Sequence, residues 1–132
     1  NNLPLRGNAL ISVAEKDFAE ALEIAQGLIK VGFDILATNS TGKYLSAYGL
    51  GVTICPDPLE LIEKGGIQLI VNTPSQGKNP RSHGFKIRRS AAEHRIPCFT
   101  SLDTCWAFIN VRKEATNGVK LNYQPIQEYL NS

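Results

Sequence analysis

Short apolar runs recurring between stretches of helical periodicity constrain this chain more than any other feature of it. Residues 8–13, 33–38, 52–55, 67–71 and 96–100 are brief and rich in Ile, Leu, Val, Phe and Ala. All five read as strands, and residues 8–13 suit one buried on both faces. Between them apolar side chains return every three or four positions, as at Phe18, Ala21, Leu22, Ala25, Leu28 and Ile29, which describes a helix with one buried stripe. Five strands alternating with helices predict an α/β protein, a three-layer α/β/α sandwich around a five-stranded parallel sheet. Pro97 places the fifth strand at an end or an edge, because proline cannot donate to a ladder. The punctuation agrees. Asp17 is expected to cap the first helix and Gly32 to end it, and Pro58 opens a later helix that Gly65-Gly66 closes. Ser101 or Asp103 is expected to cap the helix that carries Trp106 and Ile109, residues 119–123 to add a strand, and residues 126–130 a last turn. Residues 1–7 read as a linker or the end of a preceding domain, and residues 8–132 as one domain.

Composition narrows the classes of function. The chain has 132 residues, 42% apolar and 20% charged, the balance of a globular domain with a substantial core. A net charge of +2 is too small to argue for nucleic acid, so a positive site has to be local. No apolar run approaches the roughly 20 residues of a membrane span, and residues 1–7 lack the regions of a signal peptide. Three cysteines without a Cys-x-x-Cys pair, and only two histidines, speak for free thiols in a reducing, cytoplasmic setting and against a metal site.

In a parallel sheet, ligands gather at the carboxyl ends of the strands, near the switch in strand order. Three polar strand ends are candidates: residues 12–16, 38–41 and 72–78. Thr38, Ser40 and Thr41 offer hydroxyls at a helix start, which suits a phosphate cradle and equally a plain helix cap. Asn72 and Thr73 suit a base, a sugar or a phosphate, or ordinary turn chemistry. Residues 72–89 hold five Lys or Arg, with His83 and no Asp or Glu, and Lys78 can reach a phosphate as a mobile charge. Adjacent on a helix, Arg88 and Arg89 point about 100° apart, so one of them at most faces a given site; both are read as structural or interdomain residues. A loop His83 is ordinarily just exposed, and His94 near a helix end suits a dipole partner. No catalytic triad, Gly-x-Gly-x-x-Gly or Walker loop occurs, and the basic loop lacks a carboxylate base. The site reads as one that binds rather than reacts, with no catalytic residue and no metal.

The order Ala9-Leu10-Ile11-Ser12-Val13, Gly32-Phe33 with Ala37-Thr38 and Thr41, Val71-Asn72-Thr73, and Gly84-Phe85-Lys86-Ile87-Arg88-Arg89-Ser90-Ala91 resembles the methylglyoxal-synthase-like superfamily. Within it, residues 87–94 and 96–104 resemble the C-terminal regulatory domain of the bacterial carbamoyl phosphate synthase large chain. The resemblance implies an allosteric module that binds uridine monophosphate, or inosine monophosphate or phosphoribosyl pyrophosphate. It implies no cofactor within the domain, and a parent ligase using ATP with Mg2+ or Mn2+. The remainder of the large chain and a glutaminase small chain are the implied partners, with neither nucleic acid nor membrane among them. Effector contacts carried over by position fall on Ser12, Thr38, Thr41, Asn72 and Lys78. Lys16 stands in for a family lysine that aligns near Phe18, Thr73 adjoins Asn72, and Pro74 replaces a common hydroxyl. Between Val52 and Leu61 the chain is shorter than the family pattern by about ten residues, where a phosphate-contacting lysine is usual. Either that contact is lacking or the sequence omits residues there, and the abrupt Cys55-Pro56-Asp57-Pro58 favours omission. Two other readings are methylglyoxal synthase itself, which needs a carboxylate in the phosphate loop, and a docking domain without a small ligand.

Overall fold

The computed structural model describes residues 3–74 and 83–123. Five strands form one all-parallel sheet: β1 (Gly7–Ile11), β2 (Phe33–Ala37), β3 (Thr53–Ile54), β4 (Leu69–Val71) and β5 (Cys98–Phe99). Their order across the sheet is β3-β2-β1-β4-β5, so β1 is central and the chain reverses its direction of travel between β3 and β4. The proline-bearing fifth run is an edge strand, as its sequence predicts.

Alternation along the strands builds two cores. Ala9 and Ile11, with Phe33, Ile35, Ala37, Leu69 and Val71, face the helices α1 (Phe18–Lys30), α2 (Asn39–Ala47) and α5 (Leu102–Tyr123). Leu10 and Ile70 face the opposite way, onto α3 (Pro58–Glu63) and α4 (His83–Glu93) through Ile62, Ile87 and Ala91. Helices therefore cover both faces, as right-handed crossovers before and after a reversal require. Complete burial of Ile24, Leu28 and Ile109 contributes about 1.5–3 kcal/mol each, and this is what seats α1 and α5 on the sheet.

Several local expectations change. Residues 119–123 continue α5 instead of adding a strand, and residues 126–130 lie outside the described residues. β1 starts at Gly7, one residue before the apolar run. Asp17 makes no capping bond; its carboxylate pairs with Lys16 at 3.1 Å, next to a 3-10 turn over Glu15–Asp17. By contrast Asp57 does cap α3, accepting from the Glu60 amide at 3.2 Å with Pro58 in the first turn. The short connection from β3 to α3 thus closes on a capped helix with Cys55 N donating to Ala37 O at 2.7 Å.

Candidate functional site

The register puts the three polar strand ends side by side. Ile11 is level with Ala37 on one flank and with Val71 on the other, so Ser12, Thr38 and Asn72 leave the sheet at one height. Ser12 N donates to Val71 O at 2.9 Å and Thr38 N to Ile11 O at 3.3 Å, which extends the ladder by one residue. Thr41, Asn72 and Thr73 are the buried polar side chains among the described residues. All three lie at this carboxyl edge, where buried polar groups need partners.

Two of the three hold the exit of β1. Thr41 Oγ1 accepts from Val13 N at 3.2 Å and donates to Val13 O at 3.5 Å. Thr73 Oγ1 accepts from Ala14 N at 3.0 Å. Asn72 Oδ1 accepts from Arg88 Nη1 of α4, and Gly84 leaves the space: a Cβ there would lie 3.3 Å from Arg88 Nη1 and 3.6 Å from the Asn72 amide. Arg89 turns away into a surface pair with Glu93. The 100° divergence of the two arginines is thus resolved in favour of Arg88, which reaches the strand edge.

A cavity of about 440 Å³ opens beside these groups, lined by Ser12, Thr38, Ser40, Thr41, Cys55 and His83 among others. No Asp or Glu is among the described residues that line it. The first turn of α2 forms one wall. Thr38 stands at its N-cap but makes no capping bond; its hydroxyl donates instead to Ser12 Oγ at 3.0 Å. First-turn amides of a helix have no intrahelical acceptor and carry the positive end of its dipole, so this wall favours an anion. With Thr38 donating to its oxygen, the Ser12 hydroxyl keeps its own proton for a ligand. Burial raises the Cys55 thiol, and a nearby Asp57 charge adds to the rise while a backbone hydrogen bond from the same residue opposes it. It is therefore held as a thiol and not poised as a nucleophile.

Lys16 and Thr73 line a second cavity of about 350 Å³ with Asp17, Glu20 and Asp103. Lys16 is paired with Asp17, and Glu20 accepts from Trp106 Nε1 at 3.0 Å. Three carboxylates against one paired lysine make that cavity unsuited to an anion. Of the seven residues singled out in the sequence, Ser12, Thr38 and Thr41 are brought to one cavity, Asn72 is held beside it by Arg88, Lys16 and Thr73 line the other, and Lys78 lies outside the described residues. Ser40 and His83 join the first cavity beyond those seven. The signal for Ser40 was its place in the hydroxyl cluster at a helix start; His83 is far from it along the chain and only the fold brings it there. Among the described residues no group of three or more His, Cys, Asp or Glu is arranged to hold a metal, and no helix is long and apolar enough to cross a membrane.

A doubly wound parallel sheet with a polar cavity at its carboxyl edge, free of carboxylates among its described lining residues, defines a Rossmann-like α/β class. The chain belongs to the MGS-like domain family, whose model matches residues 20–100. It is 42% identical over 133 aligned residues to the carbamoyl phosphate synthase large chain of Caldanaerobacter subterraneus subsp. tengcongensis, an alignment covering 96% of this chain and 12% of that one. Large chains of the same name from Thermoanaerobacter sp. and Thermoanaerobacter pseudethanolicus are 41% identical with the same coverage. The chain thus spans about 12% of the length of these relatives. Among solved structures, methylglyoxal synthase from Elizabethkingia anophelis superposes with a TM-score of 0.66 at 16% identity, over 81% of this chain and 79% of that one. ForH superposes with a TM-score of 0.58 at 21% identity, over 83% and 80%. Both likenesses concern the fold.

Proposed function

We propose that this chain is the effector-binding domain of a carbamoyl phosphate synthase large chain, and that it holds a phosphorylated nucleotide in the α2 cavity. The observation that carries the reading is the convergence of Ser12, Thr38, Ser40 and the first turn of α2 on a cavity with no carboxylate among its described lining residues. The likeness to carbamoyl phosphate synthase large chains over 96% of the sequence supplies the setting. In that setting uridine monophosphate is the first ligand to test, with inosine monophosphate and phosphoribosyl pyrophosphate next. The parent would be a ligase using ATP with Mg2+ or Mn2+, paired with a glutaminase small chain, and the domain would hold no cofactor of its own. Regulation would follow from a ligand that binds one state of the whole enzyme more tightly than another. Turnover of dihydroxyacetone phosphate, the reaction of methylglyoxal synthase, needs a carboxylate base, which the described lining of the cavity does not supply.

Titration calorimetry of the 132-residue chain at low salt tests the proposal. Uridine monophosphate is expected to bind saturably. Ser12→Ala is expected to weaken binding roughly tenfold, the effect of one hydrogen bond to a charged group. Absence of heat with all three nucleotides would sink the reading.

A further inference from the structure

The chain has two histidines, and α4 sets them apart. His83 begins the helix and lines the α2 cavity. His94 follows its last residue, with Nδ1 2.9 Å from Ser90 O. We propose that His83 is a proton-dependent ligand of the anion held in the α2 cavity, so that binding tightens as pH falls through the histidine range. The inference rests on the cavity reading above and adds a control to it.

The geometry carries the argument. His83 is exposed and lines the same cavity as Ser12, Thr38, Ser40, Thr41 and Cys55. Among those described lining residues, His83 is the one whose side chain ordinarily changes charge between about pH 5 and 8; burial holds Cys55 as a thiol. Among the described residues, the charged groups on the surrounding elements do not stand in for it. Arg88 on the same helix is bonded to Asn72, and Arg89 pairs with Glu93. On α3, Glu60 pairs with Lys64, and Asp57 accepts from the Glu60 amide. Lys43 on α2 and Lys86 on α4 are exposed and outside the lining. An imidazolium at the start of a helix also opposes the positive end of the dipole. An anion in the cavity relieves that opposition, so protonation and anion binding reinforce one another.

Sulfate tests this directly, because it stays a dianion where phosphate esters themselves titrate. Its affinity is read from the backbone amide shifts of Ser12, Ser40 and Thr41 at about pH 5.5 and about pH 8, with chloride matching the ionic strength. The wild type is expected to bind roughly tenfold more tightly at the lower pH, as a hydrogen bond to a charged group implies. His83→Gln is expected to remove that dependence while sulfate still shifts the same amides, and His94→Gln to keep it. A pH dependence surviving in His83→Gln, or none in the wild type while the amides still shift, overturns the role of His83 and leaves the cavity reading standing. Amides that sulfate does not shift at either pH overturn the cavity reading and the inference with it.

Discussion

At the scale of the residue, neighbouring hydroxyls divide into two roles. Thr41 is 1% exposed and both its donor and its acceptor capacity go to the Val13 backbone. Thr41→Val is nearly isosteric but leaves the part-buried Val13 amide without its acceptor, and is expected to destabilise the fold by about 1–3 kcal/mol. A lowered urea midpoint is the measurement. Ser12 is half-buried and its hydroxyl accepts from Thr38, so Ser12→Ala is expected to change stability by less than about 1 kcal/mol while weakening nucleotide binding. If the two substitutions have the same profile, the division is wrong. The sequence presented all of these residues as hydroxyls near strand ends. It could not sort them, because a hydroxyl's availability depends on which backbone group lies opposite, and Val13 and Thr41 meet only across two elements. Arg88 shows the same limit: its partner Asn72 is sixteen residues away, and helical periodicity alone left it equal to Arg89.

At the scale of the element, helix α2 is the piece that makes the cavity, and its position depends on Gly42. A Cβ at Gly42 would stand 2.7 Å from Ile54 Cγ1 and 3.5 Å from Ala37 Cβ. The absence of a side chain at Gly42 lets α2 approach β2 and β3. Gly42→Ala gains helix propensity but has to displace Ile54, and is expected to cost about 1–3 kcal/mol net, seen as a lowered melting temperature. The end of α4 behaves in the opposite way. Arg95 has φ of 58°, with Ile96 N bonded to Ala91 O at 2.8 Å, the left-handed stop at which glycine is preferred. Arg95→Gly is expected to stabilise the protein by up to about 1 kcal/mol, raising the urea midpoint without altering sulfate binding. A fall in the midpoint would show that the arginine side chain contributes more than its backbone strain costs.

At the scale of the whole molecule, the core sets the response to alkali. Burial of Cys105 raises its thiol from 9.0 to about 12, and burial raises Cys55 and Cys98 in the same direction, Arg88 partly opposing it at Cys98. A thiol that ionises more easily in the unfolded chain stabilises the fold fully below about pH 9. That contribution is lost as pH rises toward 12. Urea midpoints are therefore expected to fall between about pH 8 and about pH 10.5, and to fall less in Cys105→Ala; equal slopes would remove Cys105 as a cause. The layered α/β sandwich was legible beforehand because the central strands are buried on both faces over residues 9–11 and 69–71 and the helices on one, and both conditions are written in local apolar spacing. Pro97 even marked an edge. The extent of α5 was not legible: Val119, Leu121 and Tyr123 alternate like a strand, and continuation of a helix already begun at Leu102 overrides that local pattern. By itself, then, the sequence determined the layers, the parallel sheet and the three polar strand ends, since each follows from contacts or periodicities a few residues long. Only the tertiary structure decided that Ser12, Thr38, Ser40 and His83 share one cavity while Lys16 and Thr73 line another, because that choice depends on strand order and register, which join residues far apart along the chain.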